Sequence, residues 1–332
     1  MTRKWLTEAD EYVCTLSSET REIARKELRE DDSTRAQALD SLRGWIVKNP
    51  RIENCRLDSK FLLRFLRFTK FHVTLAEEVL ERYLLLRQAY SIAFHNLDMK
   101  NPRMEMLLDK GIVLISPRKD KLGRRLVIVR AGQFDPYKFN NEDACRLAAI
   151  VHETLMEDEE SQVRGYIYFC DADGVGLPYL TLFTPKEAVR IVKNGEKTIP
   201  MRHKEAHGYN IPFYLKFAVD FGFSLISDKY KKRIKIHTTM EEVHECIDKT
   251  LLPEEYGGDI PIAEMIKLTK EELLRHRDVI LSHDEMKVKL ECYSEKAREG
   301  AVSALKQGMF CKMDTMPFDS GLCGTFRKLE VD

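Results

Sequence analysis

The feature that most constrains this chain is a change of texture near residue 100. Before it, apolar residues recur at helical spacing; after it, short β-branched runs alternate with helical stretches. GIVLISP (Gly111 to Pro117) and RRLVIVRAG (Arg124 to Gly132) read as strands joined by a glycine-containing hairpin turn in RKDKLGR. A helix over NEDACRLAAIVHETLMEDEE (Asn141 to Glu160) follows, and then a strand in GYIYFCDADG (Gly165 to Gly174). PKEAVRIVKNGEKTIP is a helix opened by proline, ending near Gly195, and YKKRIKIH (Tyr230 to His237) leads into a further strand. Strands alternating with helices pair mostly in parallel and are covered by those helices. The fold class is therefore α/β, with a mixed, largely parallel sheet flanked by helices.

The first hundred residues read as a helical bundle. Residues 33–48 place Ala36, Leu39, Leu42, Trp45 and Ile46 on one stripe, capped by Ser33 or Thr34 and stopped at Asn49-Pro50. DSKFLLRFLRFTKF opens on a cap at Asp58 or Ser59 and aligns Phe61, Leu62, Phe65, Leu66 and Phe68. TLAEEVLERYLLLRQAY buries Leu75, Val79, Leu80, Tyr83, Leu84 and Leu86. The expected division is a helical subdomain over 1–100, an α/β domain over 101–262, and a helix with an irregular tail over 263–332.

Charge and cysteine usage remove whole classes of function. Lys+Arg and Asp+Glu both number 54, and that balance lacks the basic excess of a nucleic-acid binder. The N-terminus is charged and without a signal-peptide core, and no stretch reaches the ~20 apolar residues of a membrane span. The eight cysteines are scattered without a C-x-x-C pair, as expected of idle thiols in a reducing cytoplasm. There is no G-x-S-x-G, P-loop, H-E-x-x-H or G-x-G-x-x-G. Asp171 and Asp173 at a strand end leave a metal or catalytic pair open, and Glu157 to Glu160 reads as a solvated helix end. No enzyme, cofactor or metal is called for.

Five segments in fixed order, FLLRFLRFTKF, DKLGRRLVIVRAGQFDP, GYIYFCDADGVGLPYLTLFTP, IPFYLKFAVDFGFSLISDKYKKRIKIH and LLPEEYGG, resemble the CRAL-TRIO family over about residues 30–270. They are most similar to its alpha-tocopherol transfer protein and cellular retinaldehyde-binding protein branch, and GLCGTFRKLEVD resembles the tail of many insect members. The resemblance implies a lidded apolar cavity between sheet and mobile helix. It also implies a non-enzymatic carrier of tocopherol, a retinoid or a similar lipid, monomeric, cytoplasmic and transiently bound to phosphoinositide-bearing membranes. The alternative is a phosphoinositide-reading regulatory module acting through protein partners.

Residue by residue, the resemblance places Cys145, Ala148, His152, Met156, Tyr166, Cys170, Leu177, Phe183, Ile191 and Met201 on the cavity wall. His152, on an apolar helical stripe, matches a pocket serine and would hydrogen-bond a ligand hydroxyl or carboxyl. Phe213, Leu215, Phe217, Phe221, Phe223 and Leu225 form the lid, whose Asp220 and Gly222 interrupt the apolar stripe a packed helix would keep. Arg202, Lys204, Lys229 and Arg233 match head-group-binding positions, with Lys232 beside them. A further family arginine falls on Thr69, where adjacent Lys70 would substitute. At ~1 kcal/mol per basic residue near an anionic surface, four give ~4 kcal/mol, enough to recruit but not to anchor.

Overall fold

The computed structural model describes residues 8–182 and 184–299. The chain begins with α1 (Ser18–Ile23), continued by a π-helical turn over Ala24–Leu28, and α2 (Asp32–Lys48). Asp31, not Ser33 or Thr34, caps α2, accepting from the Thr34 N–H at 2.7 Å. Its core stripe runs through Ala38, Leu39, Leu42 and Ile46, while Ala36 is exposed. A short strand β1 (Ile52–Asn54) precedes α3 (Ser59–Phe68), capped by Asp58, and α4 (Val73–Ala89). Leu75, expected inside, sits in the first turn of α4 and is 40 % exposed. The segments α5 (Ser91–Phe94) and α6 (Pro102–Asp109) lead to the sheet.

The sheet comprises β2 (Val113–Lys119), β3 (Arg125–Arg130), β4 (Tyr166–Asp171), β5 (His203–Tyr209) and β6 (Ile234–His237), ordered as named. The β2–β3 hairpin is antiparallel and the other three pairings are parallel, as the alternation of strands and helices requires. Between β3 and β4 lie α7 (Asn141–Met156) and α8 (Glu159–Arg164), and between β4 and β5 lies α9 (Pro185–Lys197). Capping boxes fix both long helices: Asn140 with Asp143 for α7, Thr184 with Glu187 for α9. Between β5 and β6 come α10 (Lys216–Leu225) and the single turn α11 (Asp228–Lys231); α12 (Met240–Cys246) and α13 (Ile262–Ser282) follow.

Side chains alternate across the strands. Leu114, Leu126, Ile128, Ile167 and Phe169 pack on α12 and the start of α13. On the other face, Val113, Ile115, Val127 and Tyr166 meet Leu147, Ile150, Val151 and Leu155 of α7. The glycines of LLPEEYGG close a tight turn: a Cβ on Gly258 would lie 1.8 Å from the Leu252 carbonyl oxygen, and Gly257 has φ +88°. After α13 the chain returns to the N-terminal helices. Strand β7 (Lys287–Val288) pairs antiparallel with β1, and α14 (Glu295–Arg298) packs on α4.

The acidic run Glu157–Glu160 is not a solvated helix end. Helix α7 breaks there, and its acids turn toward the arginines of α3. Arg64, fully buried, donates to Glu153 at 3.1 Å and Glu157 at 2.7 Å, and Arg56 reaches Glu157 at 2.8 Å. Arg67, also fully buried, holds Glu30 through two bonds and Glu159 through a third. Glu160 accepts from the Ser17 N–H and the Thr20 hydroxyl. Buried charges persist when each is paired and hydrogen-bonded. This network joins the helical N-terminus to the α/β domain.

Candidate functional site

A cavity of about 170 Å³ lies between α4–α5, α7 and α9, closed at one end by the start of β5. Leu86, Tyr90 and Phe94 come from the N-terminal helices; Cys145, Ala148, Ala149, His152, Glu153 and Met156 from α7; and Arg190, Ile191, Asn194 and Gly195 from α9. Ile199 and His203 complete the wall. Helical spacing on α7 makes this possible, because Cys145, Ala148, His152 and Met156 are three or four residues apart and share one face.

The few polar groups on this wall differ in how far they are satisfied. His203 Nδ1 and the Tyr168 hydroxyl are hydrogen-bonded at 3.0 Å, and the His152 ring meets Tyr168 edge-on. Burial pushes the His152 imidazolium down to about 4, against the opposing pull of Glu153. Burial, with the charge of His152 adding to it, pushes His203 down to about 3. Both rings are neutral at pH 7. Glu153 is neutralised by Arg64 and Arg87 and accepts the Tyr83 hydroxyl at 2.7 Å. Arg190 lies over the face of Tyr90, 3.8 Å from the ring centroid.

Five of the ten wall positions expected from sequence line this cavity: Cys145, Ala148, His152, Met156 and Ile191. Tyr166 and Met201 are fully inside the core, the Tyr166 hydroxyl donating to the Leu155 carbonyl at 3.0 Å. Cys170 on β4 and Leu177, exposed on a 3₁₀ turn, are not among the residues that line the cavity; Phe183 lies outside the described residues. Sequence reasoning missed Tyr90 and Phe94, which belong to helices assigned to a separate bundle. It also missed Arg190 and Asn194, polar residues on a helix whose apolar positions alone were weighed, and His203, between Arg202 and Lys204, which were read as head-group contacts.

The proposed lid is exposed rather than core. No residue of α10 is buried; Phe213, Phe217 and Phe221 are 88, 60 and 41 % exposed, and Phe223 and Leu225 are half-buried. Only Leu215, just before the helix, is inside. Asp220 pairs with Lys216 at 2.8 Å on the solvent side, and a Cβ on Gly222 would meet open space. Helix α10 hangs from α9 by polar contacts: Lys193 Nζ donates to the Leu225 carbonyl at 2.6 Å and the Ser227 N–H to Glu196 at 2.8 Å. The lid residues do not line the cavity. Phe213 and Phe223 instead edge a groove over Ile236 of β6.

The five basic positions lie near one another. Lys229 loses proton affinity to burial and then to the charges of Arg233, Lys70 and Arg202, with Glu196 opposing. Lys204 is lowered by burial and by Arg202 and Arg233, against Glu27. Lys70 sits in the α3–α4 turn at φ +54°, next to buried Thr69. Glu27 of the N-terminal segment pairs with Arg202 at 2.7 Å and Lys204 at 3.1 Å. Burial would raise the Glu27 carboxyl, but these bonds hold it below the usual carboxylate range. Arg202 also donates to the Val163 carbonyl and Arg233 to the His203 carbonyl.

Asp171 accepts from the Tyr256 hydroxyl at 2.6 Å, the Asn210 amide and the Asp173 N–H, so it ties strand ends together. Among the described residues, one His/Cys group is close enough to share an ion: His207, His237 and Cys246, under the opposite face of the sheet. There the imidazoles bond each other at 2.9 Å, and the Lys235 ammonium, 3.5 Å from Cys246 Sγ, opposes a cation. The six described cysteines are free thiols. No helix among the described residues is long and apolar enough to cross a membrane.

The CRAL/TRIO domain model matches residues 109–258. Clavesin-1 of Pongo abelii is 30 % identical over 251 residues, covering 75 % of this chain and 71 % of that one. The chain belongs to the CRAL/TRIO family. Human clavesin-2 is 29 % identical over 251 residues, covering 75 % of this chain and 77 % of its own. Among solved structures, Sfh5 aligns at 13 % identity with a TM-score of 0.49, covering 76 % of this chain and 99 % of that one. The matched CRAL/TRIO segment takes in α7, α9, α10 and the whole sheet. It leaves out α4 and α5, whose Leu86, Tyr90 and Phe94 complete the cavity.

Proposed function

We propose that this CRAL/TRIO chain is a non-enzymatic carrier that holds one apolar small molecule and exchanges it at anionic, phosphoinositide-bearing membranes from the cytoplasm. The observation that carries this reading is the cavity between α7 and α9, walled mostly by apolar side chains, with the exposed aromatic helix α10 tethered to α9 beside it. Its volume is well below the ~300–1,000 Å³ typical of sites for drug-sized ligands. A whole tocopherol or retinoid therefore enters only if α9 swings outward, carrying α10, which is hydrogen-bonded to it through Lys193 and Glu196. The outward aromatics of α10 gain apolar surroundings by meeting a bilayer. The cations Lys70, Lys229 and Arg233, with Arg202 and Lys204, supply attraction to anionic head groups. No paired nucleophile and base stand on the cavity wall among the described residues.

The test is titration of the purified chain with fluorescent tocopherol, retinoid and sterol-like probes. Saturation at one probe per chain supports the carrier. A folded chain that saturates with none of these lipids refutes it and leaves the regulatory-module reading.

A further inference from the structure

Arg190 is out of place in a wall built for hydrocarbon. Its Nε is buried without a hydrogen-bond partner among the described residues, and its guanidinium forms no ion pair there. The acid one turn away on its own helix, Glu187, is already engaged. Its oxygens accept from the Asn141 amide at 2.6 Å and from the Thr184 N–H and hydroxyl at 2.9 Å. Among the described residues the guanidinium lies against the Tyr90 ring, an attraction worth far less than a carboxylate in contact. An arginine stays charged at any physiological pH and carries five donors. The side chain is half-buried, and leaving its buried Nε unpaired is costly.

The other groups on the wall do not balance that charge. His152 and His203 are neutral at pH 7, and Glu153 is bound by Arg64, Arg87 and Tyr83. Glu187 offsets the charge only through space, so a guanidinium without a carboxylate in contact faces an otherwise apolar cavity. We infer that the cavity selects an amphiphile with an apolar body and a single carboxylate head, held by the guanidinium of Arg190. A phosphate monoester carries about −1.5 to −2 charges at pH 7, more than one arginine offsets. This inference rests on the carrier reading and specifies the chemistry of its cargo.

The test titrates the full chain with the fluorescent polyene cis-parinaric acid, its methyl ester, the corresponding alcohol and a long-chain alkyl phosphate. A charge-assisted bond to a buried guanidinium predicts that the acid binds about tenfold or more tighter than the ester or alcohol. Arg190→Gln removes that preference while ester affinity remains, and Arg190→Lys keeps part of it. Equal affinity of acid and ester for the wild type, a preference for the alkyl phosphate, or a preference that survives in folded Arg190→Gln overturns the inference. If Arg190→Gln fails to fold, the wild-type series and Arg190→Lys decide the matter. If none of the four compounds binds while a tocopherol, retinoid or sterol-like probe saturates, this inference fails and the carrier reading stands; if those probes fail as well, both fall.

Discussion

Replacing Phe217 and Phe221 of α10 together by alanine separates a gate from a packed helix. The two rings are 60 and 41 % exposed, so about one whole phenylalanine's worth of surface is buried between them. Burying a full Phe side chain stabilises by roughly 1.5–3 kcal/mol, so the double change costs the folded chain at most about that much. Two core phenylalanines would instead cost ~3–5 kcal/mol each and unfold a marginal domain. The exposed half of the same rings is what a bilayer covers, so vesicle adsorption should weaken by a similar free energy, on the order of 10- to 150-fold. Urea denaturation and vesicle co-sedimentation measure the two effects on one preparation, and stopped-flow transfer gives the ligand off-rate. Loss of 6 kcal/mol or more with normal transfer by the remaining folded protein would refute the gate.

Other consequences are as direct. Gly222→Ala, placed where a Cβ meets open space, should stabilise α10 by ~1 kcal/mol and slow ligand release, read by melting temperature and off-rate. Reversing charge at Lys229 and Arg233 together should slow transfer to anionic vesicles, spare neutral ones, and be mimicked by added salt in the wild type; an unchanged rate on phosphoinositide vesicles contradicts the patch. Glu157→Ala removes a shared partner of buried Arg64 and Arg56, which keep Glu153 and Asp58, and should cost ~1.5–3 kcal/mol in urea denaturation. Acid should unfold the chain through that same carboxyl. Arg64 and Arg56, against the cost of burial, hold Glu157 down to about 2 in the folded state, below its ordinary 4.5. Its stabilisation is complete above the unfolded value and is lost as pH falls from about 4.5 toward 2, on the order of 3 kcal/mol. His152 and His203, also depressed, begin to remove stability earlier, as pH falls below 6.5. A stability profile flat from pH 7 to 3 contradicts both assignments.

The alternation of strands and helices beyond residue 100 was legible because local patterning and parallel pairing leave few alternatives. The α7 face of the cavity was legible only through the family resemblance, which named Cys145, Ala148, His152 and Met156; their helical spacing alone would read as ordinary core. What lay hidden was every contact made across the chain. The acids Glu157–Glu160 look like solvent-facing charge until α3 brings Arg64 and Arg67 against them, some ninety residues away in sequence. Tyr90 and Arg190 likewise reveal nothing alone; only the packing of α4–α5 on α9 stacks one on the other. The aromatics of α10 carried an ambiguous message, since a dense Phe stripe suits a core as well as a gate, and only their exposure separates the two.

The most direct measurement of the carrier account is lipid extraction and mass spectrometry of the chain purified from its own tissue under non-denaturing conditions. The account predicts one dominant apolar small molecule at close to one per chain, released when anionic vesicles are added. A chain that comes out folded, and either empty or holding a mixture that mirrors bulk membrane lipid, would contradict it.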